Sequence, residues 1–298
     1  MTSDVLSEYN PREVITALTS ELLNAPVAQS TRPAETATHV HCVDSTSSQC
    51  RANGQVASRY QRLAADPRFF QFANIPNRLI KCLDSFEIEA NQEDMRSALL
   101  AYYIFIAVTD DAIDGGDPDA GESILARIAN PRVRLSGDAA LSDAEFMAEV
   151  LKLYFPARAS AQIRMKFRTL YRITLDEQRA RSMREFVKTR KLLGRVTADI
   201  SYLLVRDYLR NDVWKLRRLM KQVGAVGCLI DTVIDARKDQ RAGLLSFRPS
   251  IAEWLYFYAH TLVLGLRVAL KHTKLIRLFC EAIIDNVYDR RRAQVAER

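Results

Sequence analysis

The sequence predicts an all-α protein, built as a single helical bundle around a central cavity. The chain has 298 residues, of which 48% are apolar, so it can bury a sizeable core. It contains only 10 glycines and 9 prolines, which leaves long stretches free for helices. From Ser58 onward the apolar residues recur at helical spacing, and no segment shows the alternation that is typical of a strand.

Helical spacing and helix-end signals divide the chain into two parts. Residues 1–58 hold one short helical pattern and then a polar stretch, and we interpret them as a loosely ordered N-terminal arm. Residues 59–298 form the expected helical domain. Ser142 and Glu145 have the spacing of a capping box, and Gly115-Gly116 ends the helix that precedes it. The predicted helices cover about 58–65, 75–90, 92–114, 121–129, 142–153, 157–182, 183–209, 212–236, 250–270 and 273–295.

Charge and cysteine content limit the class of protein. The formal net charge is +7, which suits an anionic ligand, a nucleic acid or an anionic membrane surface, and equally a basic protein that binds none of them. Five cysteines in a long chain argue against a disulfide framework. The longest late apolar run, Trp254 to Leu266, is broken by His260 and is too short to span a bilayer. With no signal-peptide pattern at the start, we expect a soluble, cytoplasmic protein.

A first acidic cluster follows an uncharged helical run. Residues 99–109 carry no charge, and Asp110-Asp111-Ala112-Ile113-Asp114 comes directly after them. Asp110 and Asp114 are four residues apart and share a helix face, while Asp111 points to one side. Because an apolar helix packs against other helices, these carboxylates are expected to leave water and to need a cationic partner.

A second acidic cluster repeats the arrangement. Asp231, Asp235 and Asp239 follow the uncharged run 223–230 at four-residue spacing, so they form one stripe on a helix. If the two helices face each other across a cavity, five or six carboxylates converge and repel one another unless cations are present. Mg²⁺ prefers oxygen ligands and bridges carboxylates to phosphates, so two or three Mg²⁺ ions with a diphosphate would neutralise such a site.

Basic residues beside the second cluster offer a different interpretation. Arg237, Lys238 and Arg241 could pair with a solvated acidic stripe that has no ligand. One cluster alone would favour that reading. Two clusters, each on an apolar helix, favour metal and phosphate chemistry.

Taken together, the clusters resemble the metal-binding motifs of class I isoprenoid synthases, terpene synthases among them. The first family motif, DDxxD, is matched in full by residues 110–114. The second motif has ligands at four-residue spacing, which residues 231–239 reproduce, although Thr232 stands where Asp is usual and Asp235 where Ser, Thr or Gly is usual. The resemblance covers roughly residues 60–295. It implies metal ligands at Asp110, Asp111, Asp114, Asp231, Asp235 and Asp239.

Two related groups remain as alternatives. Squalene and phytoene synthases use two DxxxD motifs, which Asp110/Asp114 and Asp235/Asp239 satisfy, but Ala107 stands where those enzymes usually have an arginine. Chain-elongating prenyltransferases carry an arginine pair after the first motif, and this chain has none there. We therefore rank cyclisation first, head-to-head condensation second and chain elongation third.

The resemblance also implies residues that bind the diphosphate. Terpene synthases have an arginine before the second motif that senses the diphosphate, and Arg184 resembles it, with Lys188 one turn later. Arg184 is thus expected to be catalytic together with the aspartates of the first motif. Three other arginines compete with it, Arg190 among them. The remaining expected diphosphate ligands are Lys238, Tyr288 and Arg290.

The predicted activity is the Mg²⁺-dependent ionisation of a linear prenyl diphosphate, such as a farnesyl, geranylgeranyl or longer one, followed by cyclisation or rearrangement of the carbocation. Aromatic faces would stabilise that cation, and the candidates for the cavity wall are Tyr103, Phe105, Phe186 and Tyr202. A basic helical nucleic-acid-binding protein would leave both acidic clusters unexplained, so we expect no nucleic-acid partner. A homodimer is compatible with the sequence.

Overall fold

The computed structural model describes residues 47–114, 119–135, 141–210, 213–241 and 245–278, with residues 280, 281 and 284. Within helices, the side chains of residues 47–53, 114, 213 and 235–241 lie outside the description. Most of the predicted N-terminal arm, residues 1–46, also lies outside the described residues.

Ten α-helices and a further helical stretch at residues 274–278 make up most of the described part of the chain, which contains no strand, so the predicted all-α class is confirmed. None of the described helices has both the length and the apolar character that crossing a membrane requires. Short 3₁₀ turns at Pro67–Phe69 and Arg206–Tyr208 complete the secondary structure. The helices are α1 (Ser47–Ala64), α2 (Phe70–Ala73), α3 (Ile75–Ser85), α4 (Gln92–Asp114), α5 (Ala120–Ala129), α6 (Asp143–Lys152), α7 (Ser160–Gln178), α8 (Met183–Val205), α9 (Val213–Arg241) and α10 (Ile251–Lys271).

Helix ends follow the local chemistry of the sequence. The capping box predicted at Ser142 and Glu145 is present and starts α6. The helix predicted over 75–90 ends earlier, at Ser85, because Glu87 adopts a φ of 56°, in the left-handed region that a helix cannot continue through. Helix α1 begins at Ser47, well inside the predicted arm. Its first half is polar, so the apolar pattern does not indicate a helix there, although the helix buries Tyr60 and Leu63.

Helix α4 forms the centre of the bundle. Every residue from Ala98 to Phe105 is buried, and the helix contacts α3, α6 and α8. This confirms the expectation that an uncharged helical run is buried on several sides. Asp110 and Asp111 then follow at its C-terminal end, where the helix reaches solvent, and both are exposed, as is Asp231 on α9. The expectation that these carboxylates leave water is therefore wrong for these three residues.

Helices α8 and α9 cross at two glycines. A Cβ atom added to Gly194 would collide with the backbone carbonyl of Gly224, and a Cβ added to Gly224 would collide with Gly194 and Ala198. The two backbones therefore approach each other more closely than any larger residue allows. This crossing fixes the relative position of the helix that carries Arg190 and the helix that carries Asp231.

Candidate active-site cavity

A mostly apolar cavity of about 390 Å³ lies among helices α2, α3, α4, α8 and α9 and the helical residues 274–278. Its walls come from one face of each long helix. On α4 the lining residues are Tyr103, Ile106 and Asp110, spaced three and four apart, and on α8 they run at the same spacing from Arg190 to Ala198. The apolar pattern that predicts a buried helix therefore also builds the wall of the cavity.

Both acidic clusters contribute a carboxylate to this cavity. Asp110 enters it from the end of α4, and Asp231 enters it from α9. The sequence expectation that the two clusters face one cavity is met for these two residues. Arg190, on α8, lines the same cavity, and Asp110 and Asp231 both act on its charge.

Arg190 lies in a partly buried, acidic environment, with 24% of its side chain exposed. Its Nε atom lies 3.1 Å from Oε1 of Glu177, and its guanidinium carbon lies 5.6 Å from the centre of the Phe186 ring. Burial by itself lowers the pKa of this guanidinium, but Cys228, Glu177, Asp110 and Asp231 outweigh it, so the pKa of Arg190 is raised above its usual value. Arg190 therefore stays charged and partly balances the carboxylates.

Two cysteines line the cavity as uncharged groups. Burial raises the pKa of the Cys82 thiol to about 11, and burial raises that of Cys228 to about 11 even though Arg190 opposes the shift. Both thiols are therefore protonated at neutral pH. The negative charge in the described lining comes from Asp110 and Asp231.

Tyr103 is the predicted aromatic residue that does line the cavity. Its hydroxyl group lies 3.1 Å from Oγ of Ser201, which fixes the ring and satisfies the polar atom. Burial raises the pKa of this phenol, so it stays neutral. Phe72, on α2, is a second aromatic lining residue.

The other three predicted cavity aromatics lie elsewhere. Phe105 packs edge-on against Phe167, with ring centres 5.5 Å apart, because it is two residues from Tyr103 and so points away from the cavity. Phe186 belongs to a separate buried cluster that includes Phe257, and Tyr202 lies beneath the guanidinium of Arg217. Ordinary core packing accounts for these three residues.

The predicted diphosphate sensor also lies outside the cavity. Arg184 and Lys188 are both exposed, and Arg184 lies 5.8 Å from the ring centre of Tyr256. They share one face of α8, whereas the competing Arg190 is on the face that lines the cavity. The structure thus brings Arg190, and not Arg184, to the two acidic motifs.

The remaining predicted ligands are distributed as follows. Asp111 is exposed, and its Oδ2 atom pairs with Nη1 of Arg68 at 3.0 Å, away from the cavity lining. The side chains of Asp114, Asp235, Lys238 and Asp239 lie outside the described ones, as do residues Tyr288 and Arg290 entirely.

The donor set at the cavity suits Mg²⁺ with a phosphate group. Among the described residues, no three His, Cys, Asp or Glu side chains lie together as a metal-binding group. Mg²⁺, however, is commonly bound through one or two carboxylates while substrate phosphates and water complete its shell. Asp110 and Asp231 can supply those carboxylates, so the described residues fit this use of the metal.

Comparisons of the chain with protein-family models, with curated proteins and with solved structures each found no match.

Proposed function

We propose that this protein is a class I terpene synthase, which ionises a linear prenyl diphosphate with the aid of Mg²⁺ and cyclises or rearranges the carbocation. One observation carries the proposal. Asp110 and Asp231, each the first aspartate of one acidic motif, line the same apolar cavity together with Arg190. We further propose that the helical bundle has the arrangement of the class I isoprenoid synthases.

The charged residues would hold the diphosphate at one part of the cavity. Mg²⁺, when bound by Asp110 and Asp231, would supply the positive charge that a departing diphosphate requires. Arg190 is charged and its Nε atom lies beside Glu177, so its guanidinium is already positioned to donate hydrogen bonds to the diphosphate oxygens. The rigid crossing of α8 and α9 keeps Arg190 and Asp231 in register while charge develops.

The apolar walls would protect the cation that remains after ionisation. An allylic cation reacts with any water that reaches it, so the lining must exclude water. Leu193, Val223 and Leu219 are among the apolar side chains that do so, while the two cavity thiols are protonated and therefore poor nucleophiles. The ring of Tyr103 offers a face for cation–π attraction, worth about 1–2 kcal/mol when desolvated.

Head-to-head condensation remains the second candidate function. The DxxxD spacing of Asp110/Asp114 and Asp235/Asp239 favours it. Condensation has to bind two diphosphates, and the described lining offers two arginines, Arg78 and Arg190, of which Arg190 already balances carboxylates. The charge balance therefore favours one diphosphate at a time, and hence the cyclase.

A nucleic-acid-binding role has less support. It requires a continuous basic face, but Lys166, Arg217 and Lys221 surround the carboxylate of Asp199, and Arg190 is turned into the cavity. The cations of α7 to α9 are thus partly used inside the fold.

The test is to incubate the purified chain with Mg²⁺ and, separately, with geranyl, farnesyl, geranylgeranyl and geranylfarnesyl diphosphate. Mass spectrometry should detect a hydrocarbon or alcohol with the carbon count of its substrate, and a chelator should abolish the product. A doubled carbon count would select the condensing enzyme instead. Full turnover in excess chelator, or no turnover and no Mg²⁺-dependent thermal stabilisation by diphosphate, would contradict both.

A further inference from the structure

Helix α10 exposes a continuous row of large apolar side chains along one face. Leu255 and Leu262 expose 64% and 63% of their surface, and Ile251 and Leu270 at the two ends expose 81% and 74%. The helix has 21 residues, so the row extends over about 30 Å at 1.5 Å per residue. Exposed apolar surface of this extent marks a binding surface. The row, named the apolar row below, consists of Ile251, Leu255, Tyr258, Leu262, Leu266 and Leu270.

A pocket with three cationic residues lies beside the apolar row. Arg195 of α8 and Arg267 and Lys271 of α10 line a pocket of about 210 Å³ that also contains Leu264 and Val268. None of the three cations has a carboxylate partner among the described residues. We refer to it as the cationic pocket.

The groups around the cationic pocket do not neutralise it. Nζ of Lys191 lies 3.0 Å from Nε2 of His260, and burial followed by the charges of Lys191 and Arg267 lowers the pKa of His260. Burial and then Arg195 likewise lower the pKa of Lys191. Burial is the larger cause of both pKa shifts, and the neighbouring cations act in the same direction.

The one carboxylate of α10 is already occupied. Oε2 of Glu253 accepts hydrogen bonds from Ser250 at the start of the helix, and its Oε1 faces the backbone N–H of Met183. The carboxylate of α10 therefore does not neutralise the cationic pocket.

We propose that the apolar row and the cationic pocket dock this protein on the surface of an anionic lipid bilayer. A helix with an apolar face and basic residues along its flank matches the helices that lie in the membrane interface. Each lysine or arginine near an anionic surface strengthens the partitioning by about fivefold. The apolar row would enter the acyl boundary while Arg195, Arg267 and Lys271 contact the headgroup phosphates.

Charge separates this occupant from the alternatives. A second copy of the chain would bring the same unneutralised cations and the same net charge of +7 to the contact. A nucleic acid would leave the apolar row in water. An anionic bilayer satisfies both parts of the surface, and its binding is measured without turnover, so this inference does not depend on the proposed activity.

The experiment is flotation of the full chain with vesicles of phosphatidylcholine, either alone or with added phosphatidylglycerol. We expect at least about tenfold stronger partitioning into the anionic vesicles, weakening as salt is added. The double variant Leu255→Ser/Leu262→Ser should lose binding to both kinds of vesicle. The double variant Arg267→Glu/Lys271→Glu should lose only the preference for anionic lipid.

Matched controls come from the exposed face of α7. Met165→Ser removes an exposed apolar side chain there, and Arg168→Glu/Arg172→Glu reverses two exposed charges at the same four-residue spacing, so both should bind as the wild type does. Unchanged melting temperatures would show that all variants fold.

Three results would overturn the proposal. The first is a full chain that stays unbound to anionic vesicles. The second is equal binding by the α10 variants and the α7 controls. The third is a dimer in sedimentation that Leu255→Ser/Leu262→Ser dissociates while vesicles remain unbound, because a second copy would then cover the apolar row.

Discussion

The two ends of helix α8 hold charges in opposite proportions. Near its start, Arg190 is one cation among the carboxylates Glu177, Asp110 and Asp231 at the edge of a cavity. Nine residues further along, or about 14 Å at 1.5 Å per residue, Asp199 is a single buried carboxylate surrounded by three cations. The first arrangement combines three carboxylates with Arg190 and the lining residue Arg78, and the second combines one carboxylate with three cations.

This difference shows when a carboxylate in an apolar helical run indicates a ligand. Asp199 lies in such a run and is 1% exposed, whereas Asp110 and Asp231 are exposed, so burial by itself would favour a metal at Asp199. Its partners are instead Lys166, Arg217 and Lys221, at 2.6 to 3.1 Å. A buried carboxylate thus needs a cation nearby. Whether a basic side chain or a bound metal ion supplies that cation depends on the charges of the surrounding residues.

The largest effect is expected on turnover from the acids at the cavity. Asp110→Asn and Asp231→Asn should each lower turnover roughly a thousandfold, because each removes a metal-binding carboxylate. Their melting temperatures should stay close to the wild-type value, since both residues are exposed. Steady-state kinetics and thermal melts measure both, with the exposed Asp176→Asn on α7 as the matched control. Wild-type rates in both variants would remove these aspartates from the catalytic site.

A pair of lysine variants tests which of two arginines on α8 binds the diphosphate. Arg190→Lys should lower turnover about a hundredfold, because lysine keeps the charge but loses the fork of donors that binds the diphosphate. Arg184→Lys should have little effect, because Arg184 is exposed and lies outside the cavity lining. The kinetics of the two matched variants would give the opposite order if Arg184 were the diphosphate sensor.

Helical periodicity explains how much of this arrangement could be predicted. The all-α class, the start of α8 and the burial of α4 follow from apolar spacing and cap residues that are visible in the sequence. The lining positions Tyr103, Ile106 and Asp110 follow the same spacing. One correctly placed cavity residue on a helix therefore identifies the others on its face.

Contacts between distant helices could not be predicted in this way. Arg190 and Arg184 look equivalent in the sequence, and only the crossing at Gly194 and Gly224 turns the face of Arg190 toward Asp231. The three cations around Asp199 come from two other helices, Lys166 from α7 and both Arg217 and Lys221 from α9. Their partnership depends on packing, which local patterns do not encode.

The next largest effect should be a loss of stability when the carboxylate of Asp199 is removed. Asp199→Asn should lower the free energy of unfolding by about 2–3 kcal/mol, because three cations lose a common partner, although they are partly exposed and so partly solvated. Urea denaturation measures the change. The turnover of the folded variant should remain near the wild-type value. A loss of turnover without a loss of stability would mean that Asp199 belongs to the active site.

Acid should affect the same cluster with a defined sign. Although burial opposes it, hydrogen bonds from Arg217, Lys166 and Lys221 lower the pKa of Asp199 from 3.8 to about 2. A lowered pKa adds stability above the unfolded value, and this contribution, about 2 kcal/mol, disappears as the pH falls from about 4 to about 2. The stability difference between the wild type and Asp199→Asn should therefore shrink over that window. A difference that is constant with pH would contradict this assignment.

The smallest effect is expected from a substitution at the crossing of α8 and α9, which lies between Arg190 and Asp199 along α8. Gly224→Ala should destabilise the protein by about 1–3 kcal/mol, because its Cβ would collide with Gly194 and Ala198. Gly227→Ala, one turn later on α9, should instead be neutral or stabilising by up to about 1 kcal/mol, since nothing lies within 4 Å of its Cβ position and alanine favours helix.

The same glycine connects stability to the size of the cavity. Because Gly227 lines the cavity, Gly227→Leu should fold but fill space that a prenyl chain needs, so turnover of the longest accepted substrate should fall more than that of shorter ones. Gly54→Leu, in α1 and equally open around its Cβ, is the matched control and should leave chain-length preference unchanged.

Equal effects of Gly224→Ala and Gly227→Ala on urea denaturation would show that the crossing does not hold Arg190 against Asp231. The contrast between the two ends of α8 would then need another cause.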